Sequence, residues 1–166
     1  MTKAVSSLLL LTLIVTTVGC DRVTKHIATE SLAGMPGRSL FGDIVRLEYA
    51  ENTGGFLSIG ASLVPRVRTA IFTIGTGLIL MVVLVAAITL RQRPWHLVGA
   101  CLAFAGGMSN LVDRITHGTV VDFLNVGLGD HLRTGIFNVA DVAVFLGICI
   151  LMFSVSQSSK VIEYRP

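Results

Sequence analysis

Apolar residues dominate four blocks of this chain, and their lengths set the first expectation. From Thr69 to Leu90, 22 residues pass without a charge. A helix rising about 1.5 Å per residue crosses a hydrocarbon core of about 30 Å in that length. A second uncharged block covers Trp95 to Val112, and a third covers Gly135 to Val155 with Asp141 as its only charge. The block from Ala4 to Cys20 is shorter and ends in small residues. The pattern predicts four membrane helices, at about 4–22, 68–90, 95–113 and 136–156. The segments between them, about 23–67 and 114–135, read differently. "DIVRLEYA" (43–50) largely alternates, with Val45, Leu47 and Tyr49 against Arg46 and Glu48, the period-two pattern of a half-buried strand. "GTVVDFLNVG" (118–127) is a second β-like run closed by glycine. Two or three short strands would pair into a small sheet lying on the membrane. "LVPRVRTA" (63–70) leads into the second helix through a short turn. The expected fold class is an all-α membrane protein with a small extramembrane β element, in one domain over 1–166.

Composition agrees with the membrane. The chain is 52% hydrophobic and 14% charged, with a mean hydropathy of +0.77, well above a soluble domain. Charge sets the orientation. Lys3, the bridge "RQRP" (91–94) and the tail residues Lys160 and Arg165 hold five of the 13 Lys and Arg in fewer than 20 residues. Basic residues gather on the cytoplasmic side, so both termini are expected inside and 23–67 and 114–135 outside. The net charge of +3 is dispersed, with no basic stripe carrying interleaved aromatics, so nucleic acid is not an expected partner. Cys20, Cys101 and Cys149 lack metal-ligand spacing and read as small buried core residues.

The polar residues inside or beside the apolar blocks are where chemistry is sought, because a charge in hydrocarbon is costly and normally faces protein or a wet cavity. Asp21 and Lys25 share a helix face at i, i+4; Asn110, Asp113 and Arg114 share one at i, i+3, i+4; Asn138 and Asp141 share one at i, i+3. In the expected topology all three groups fall at the outer membrane–water boundary. Asp122 in "VVDFL" and Asp141 in "FNVADVAVF" stand apart, with no basic neighbour in sequence. Two carboxylates close together in a poorly solvated place share one proton. The ionised partner can activate water while the neutral one protonates a carbonyl. Plainer readings stand beside this one. Asp141 also suits a helix start, and Asp122 a turn. Asp21–Lys25 and Asp113–Arg114 also read as structural pairs. Asn110 and Asn138 serve equally as amide cross-links between helices. His26, His96, His117 and His131 show no ligand spacing and read as surface or interfacial residues. No G-x-S-x-G, H-E-x-x-H or P-loop motif occurs, so no metal or other cofactor is expected.

Five stretches taken together resemble one family. "DRVTK" (21–25), "ENTGGFLS" (51–58), "GGMSNLVDR" (106–114), "GTVVDFLNV" (118–126) and "FNVAD" (137–141) are similar, in order and spacing, to the bacterial lipoprotein signal peptidases, the type II signal peptidases. The resemblance implies an intramembrane aspartic endopeptidase of the bacterial inner membrane, with its active site at the outer face. Such an enzyme cleaves diacylglyceryl-modified prolipoproteins before the lipidated cysteine. It implies catalytic roles for Asp122 and Asp141, and substrate-binding or supporting roles for Asn52, Gly54, Asn110, Arg114, Asn138, Asp21 and Lys25. Its partners would be the prolipoprotein, membrane lipid and the family's cyclic peptide inhibitors. Some positions depart from the family pattern. Arg22 stands where Gln is usual, "GGFLS" replaces "GAAFS", Ser109 replaces Gly, and Val142 follows the second aspartate where Ser is frequent.

Two other functions compete. A small proton-coupled transporter also carries intramembrane carboxylates, but near the midplane and usually in a repeated bundle. A lipoprotein with a cleavable signal would be cut before Cys20, since "MTKAVSSLLLLTLIV" followed by "TTVGC" looks like such a signal. Against that, Thr17 fits poorly three residues before the cysteine, and Asp21–Lys25 belongs to the outer polar layer. The first helix is therefore expected to be retained.

Overall fold

The computed structural model describes residues 3–54, 63–89, 94–129 and 132–163. Four helices carry the chain: α1 (Lys3–Leu32), α2 (Pro65–Thr89), α3 (Pro94–His117) and α4 (Val139–Glu163). Between them lie four short strands, β1 (Arg38–Leu40), β2 (Val45–Asn52), β3 (Val120–Leu128) and β4 (Leu132–Arg133). The strands form one antiparallel sheet in the order β1-β2-β3-β4. The register of β2 on β3 shifts by one residue between Leu47 and Ala50. That irregularity separates a distal half, where Val45 faces Val126, from a proximal half, where Asn52 faces Val120 beside the helices.

Several expected boundaries move. α1 does not stop near residue 22. It passes through Gly19 unbroken and meets no further Gly or Pro until Gly34, whose φ of 72° ends the helix in the left-handed region that glycine tolerates. The first ten residues of the expected outer segment, 23–32, are therefore helical. α3 likewise runs on to His117 and closes at Gly118, with φ of 75° and its N–H on the Arg114 carbonyl at 3.1 Å. α2 begins at Pro65, so most of 63–70 is already helix. α4 begins at Val139, which places Asp141 in its first turn and not a full turn inside.

α3 is the hub, packing against α1, α2 and α4. Small residues let it approach α4 closely. A Cβ added at Gly106 would lie 2.3 Å from the Ala140 carbonyl oxygen, and one at Gly147 would lie 2.5 Å from the Ala103 nitrogen. Helices in lipid gain little from burying apolar area against each other, so close backbone contact through small residues carries the association. The outward faces of α1 and α2 stay apolar and exposed, as at Leu8, Leu11, Leu78 and Val82. Val5–Leu32, Arg66–Ala87 and Trp95–His117 are long and apolar enough to cross a membrane, and Val139–Ser154 is a shorter apolar stretch. At the other side of the polar layer, Ala28 and Leu32 of α1 form a small core with Phe123 of β3, which seats the sheet on the end of the bundle.

Two minor expectations fail. Cys20 and Cys149 are exposed on the apolar helix surface, and only Cys101 is partly covered. His96 is buried, with a ring nitrogen 2.8 Å from the Ser154 hydroxyl, and ties the far ends of α3 and α4.

Candidate active site

The polar groups converge where α1 and α3 end, α4 begins and the proximal half of the sheet meets them. The start of α4 shows why. Asn138 precedes the helix, and its Oδ1 accepts the Asp141 backbone N–H at 2.9 Å. Asp141 Oδ2 in return accepts the Asn138 N–H at 3.1 Å. This reciprocal pair is a capping box built from Asn and Asp, and it satisfies backbone donors that a helix start leaves open. The helix-start reading of Asp141 is thus correct for one of its oxygens. The other oxygen, Oδ1, accepts the Asn110 amide at 2.8 Å.

Asp122 reaches the same place from β3. Its Oδ1 accepts the Asn138 amide at 2.6 Å and its Oδ2 the Asn52 amide at 2.9 Å. Asn138 therefore holds both aspartates, one through its side-chain amide and one through its cap. The Asp122 residue is 3% exposed. Burial pushes its carboxyl up to about 6; the neighbouring Asp141 charge adds to this, while the two amides and Lys25 oppose it. An acid in that range sits near the working pH of general acid–base chemistry.

The remaining predicted residues form two groups. Asn52 Oδ1 accepts the Gly54 N–H at 2.9 Å, and Arg114 donates to the Gly54 carbonyl at 3.0 Å, so the β2 end is pinned over α3. The buried Nε of Arg114 has no hydrogen-bond partner among the described residues. Gly55, Phe56 and Leu57 lie outside the described residues. Behind the aspartates, Lys25 places its ammonium 2.7 Å from Asp21, from Asp113 and from the Asn110 oxygen. Asp21 is fully buried, and its second oxygen caps α4 at the Ala140 N–H, 2.9 Å away. The expected Asp113–Arg114 pair is not formed. Asp113 turns toward α1 and binds Lys25 and Arg22, while Arg114 turns toward Gly54. Neighbours at i, i+1 on a helix diverge by about 100°, which sequence spacing alone overlooks. In sequence Arg22 and Ser109 are only departures from the family pattern, yet both join this cluster. Arg22 also donates to the Ser109 carbonyl at 3.0 Å, and the Ser109 hydroxyl to Asp21 at 2.7 Å. Their signal in sequence was position: each lies one residue from a site residue.

A cavity of about 450 Å³ opens between α2, α3 and α4. Phe72, Leu80, Val144 and Phe145 give it apolar walls, and Asn110, Arg114 and Asp141 close it at the polar end. Asp122 stands just beyond the lining, on the sheet side of Asn138. The arrangement offers a greasy slot leading to two carboxylates that share one amide partner.

Residues 13–157 match the family model described as signal peptidase (SPase) II. The chain is 32% identical over 139 residues to a lipoprotein signal peptidase of Chlorobium phaeobacteroides, covering 80% of each. It is 34% identical over 133 residues to one of Sphingopyxis alaskensis, covering 80% of this chain and 76% of that one. A bacterial membrane enzyme solved by the in meso method at 2.3 Å superposes with a TM-score of 0.79 at 24% identity, over 95% of this chain and 93% of the other. That likeness extends to the fold.

Proposed function

The chain belongs to the signal peptidase II family, and on that premise we propose that it cuts its substrates with a pair of aspartates, Asp122 and Asp141. It is a multi-pass membrane protease that removes signal peptides from lipoprotein precursors. The transporter alternative finds no support among its relatives, which are peptidases.

The observation that carries the aspartic reading is the shared amide. Asn138 binds Asp122 directly and caps Asp141, so the two carboxyls are held in one fixed relation. Together they bear one proton, and their titration belongs to the pair. The diacylglyceryl-modified precursor enters sideways from the bilayer, with apolar segments against the cavity walls and the scissile peptide at the polar end. The ionised aspartate takes a proton from water as the water oxygen bonds to the carbonyl carbon. The neutral aspartate gives its proton to the carbonyl oxygen, forming a gem-diol. The aspartate that took the water proton then gives it to the nitrogen while the other takes a proton back from a gem-diol hydroxyl. The C–N bond breaks, the carboxyl product and the amine of the lipidated cysteine leave, and the pair again holds one proton. No acyl-enzyme forms. The Nε of Arg114, which has no partner among the described residues, stands beside the cavity and supplies a donor for a substrate carbonyl. Asn52 and Gly54 place the strand end against the peptide. The site lies at the outer face of the inner membrane, with both termini cytoplasmic, as the clustering of Lys and Arg indicates.

Arg114→Lys separates donor geometry from charge. It keeps the cation but loses the planar fork, and KM for a lipidated precursor is expected to rise about tenfold or more. An unchanged KM would remove Arg114 from substrate binding.

A further inference from the structure

We propose that Arg22 is a positioning residue of this enzyme, acting through Asp113 and Lys25 on the orientation of Asn110 and the charge balance behind the aspartate pair. The inference rests on the aspartic reading above.

The cluster contains two carboxylates, Asp21 and Asp113, at 0% and 5% residue exposure. Lys25 alone, also buried, would leave it one negative charge in excess. Arg22 supplies the second cation, bound to Asp113 Oδ1 while Lys25 holds Oδ2. With Asp113 shared in this way, the three N–H groups of Lys25 meet three acceptors, each at 2.7 Å: Asp21, Asp113 and Asn110 Oδ1. Holding Asn110 Oδ1 against an ammonium decides the amide's orientation, because only its NH₂ can then face Asp141. That NH₂ is the donor to Asp141 Oδ1 at 2.8 Å. Arg22 also fixes the backbone at Ser109, the residue before Asn110, by a 3.0 Å bond to its carbonyl. One side chain on α1 therefore steadies Asn110 from both the charge side and the backbone side. Arg22 is not among the residues lining the cavity, which makes it a positioning residue and not a catalytic one.

Among the described residues the charged groups facing the aspartate pair are few, and α2 lines the cavity beside Asp141 with uncharged side chains, Phe72, Thr76, Ile79, Leu80 and Val83. α1 presents Asp21 and Lys25, with Arg22 behind them. α3 presents Asp113 and Arg114. β2 brings the neutral Asn52, while β3 and α4 bring the pair itself. Removing Arg22 leaves this set one positive charge poorer, which favours the protonated form of a nearby carboxylate. The acidic limb of the pH–rate profile should then move to higher pH. Arg22 is about one-third exposed, so solvent screens the effect to about half a pH unit.

The test compares wild type, Arg22→Gln, Arg22→Lys and the double variant Arg22→Gln/Asp113→Asn. All are purified in full length, reconstituted in phospholipid vesicles, and given one lipidated precursor peptide across pH 4–9. Arg22→Gln should raise the acidic limb by about half a unit and lower kcat several-fold with little change in KM. Arg22→Lys should return the limb to the wild-type position, and so should the double variant, because it removes one charge of each sign. A merely structural contact would lower melting temperature in both Gln-bearing variants and leave the limb in place. That result, or an equal shift in the single and double variants, overturns the proposal. Loss of all cleavage in wild type would instead strike at the aspartic peptidase reading itself.

Discussion

Asn138 carries more of the site than any other neutral side chain. Its NH₂ donates to Asp122 at 2.6 Å and to the Asn110 oxygen at 3.3 Å, and its own oxygen caps α4. Asn138→Ala should cost about 1 kcal/mol through the lost cap. Its effect on kcat should be far larger, at least a hundredfold, because both carboxyls lose their common tether; a loss no greater than the stability change would contradict this. Asp122 makes a separate prediction. Its folded carboxyl titrates near 6 against a usual 3.8, so the folded state holds the proton longer than the unfolded state. Its contribution is fully favourable below about pH 4 and is lost as pH rises through about 6. Melting temperature followed over pH 4–7 should fall more steeply in wild type than in Asp122→Asn, and parallel curves would refute it. Both aspartates were visible in the sequence because a carboxylate among apolar neighbours is conspicuous. Partner choice was not. Asp113 and Arg114 are adjacent in the chain but point to different helices, and Arg22 announces nothing until α1 is seen to continue past it.

At the scale of elements, the α3–α4 contact sets the height of Asp141. Gly106 touches Ala140, the residue before Asp141, with no room for a methyl group. Gly106→Ala must therefore push α4 away, lowering both melting temperature and kcat. Gly19→Ala has nothing within 4 Å of the new carbon and should leave both unchanged or slightly raise stability. Comparable losses in the two variants would show that the close contact is unimportant. Helix identity was legible because apolar block length reports it directly. Helix ends were less so. α1 keeps going through Gly19 and Cys20 to Leu32 because its polar face, Asp21 and Lys25, is buried against α3 and not against water. β1 and β4, three and two residues long, are too short to show alternation, and they exist through pairing with neighbours.

For the whole molecule, sheet and bundle meet at the polar layer and at the small apolar core of Ala28, Leu32 and Phe123 beyond it, and the aspartates stand in the polar layer. β3 brings Asp122 and α4 brings Asp141, so the site exists only when the sheet is docked on the helix ends. The expected placement of this layer at the outer face makes a topological prediction. In a chain freed of its own cysteines, a cysteine placed at Phe41, which is 78% exposed at the β1–β2 turn, should react with a membrane-impermeant maleimide in intact cells. One placed at Lys3 should react only after lysis, and the opposite labelling would invert the topology.

The central claim is that two aspartates share the peptidase chemistry. The most direct measurement is cleavage of a diacylglyceryl-modified precursor by the reconstituted wild type, Asp122→Asn and Asp141→Asn, with folding of each checked by melting temperature. The account predicts cleavage by wild type and a loss of at least about a thousandfold in each folded variant. Cleavage by either variant at near the wild-type rate would contradict it.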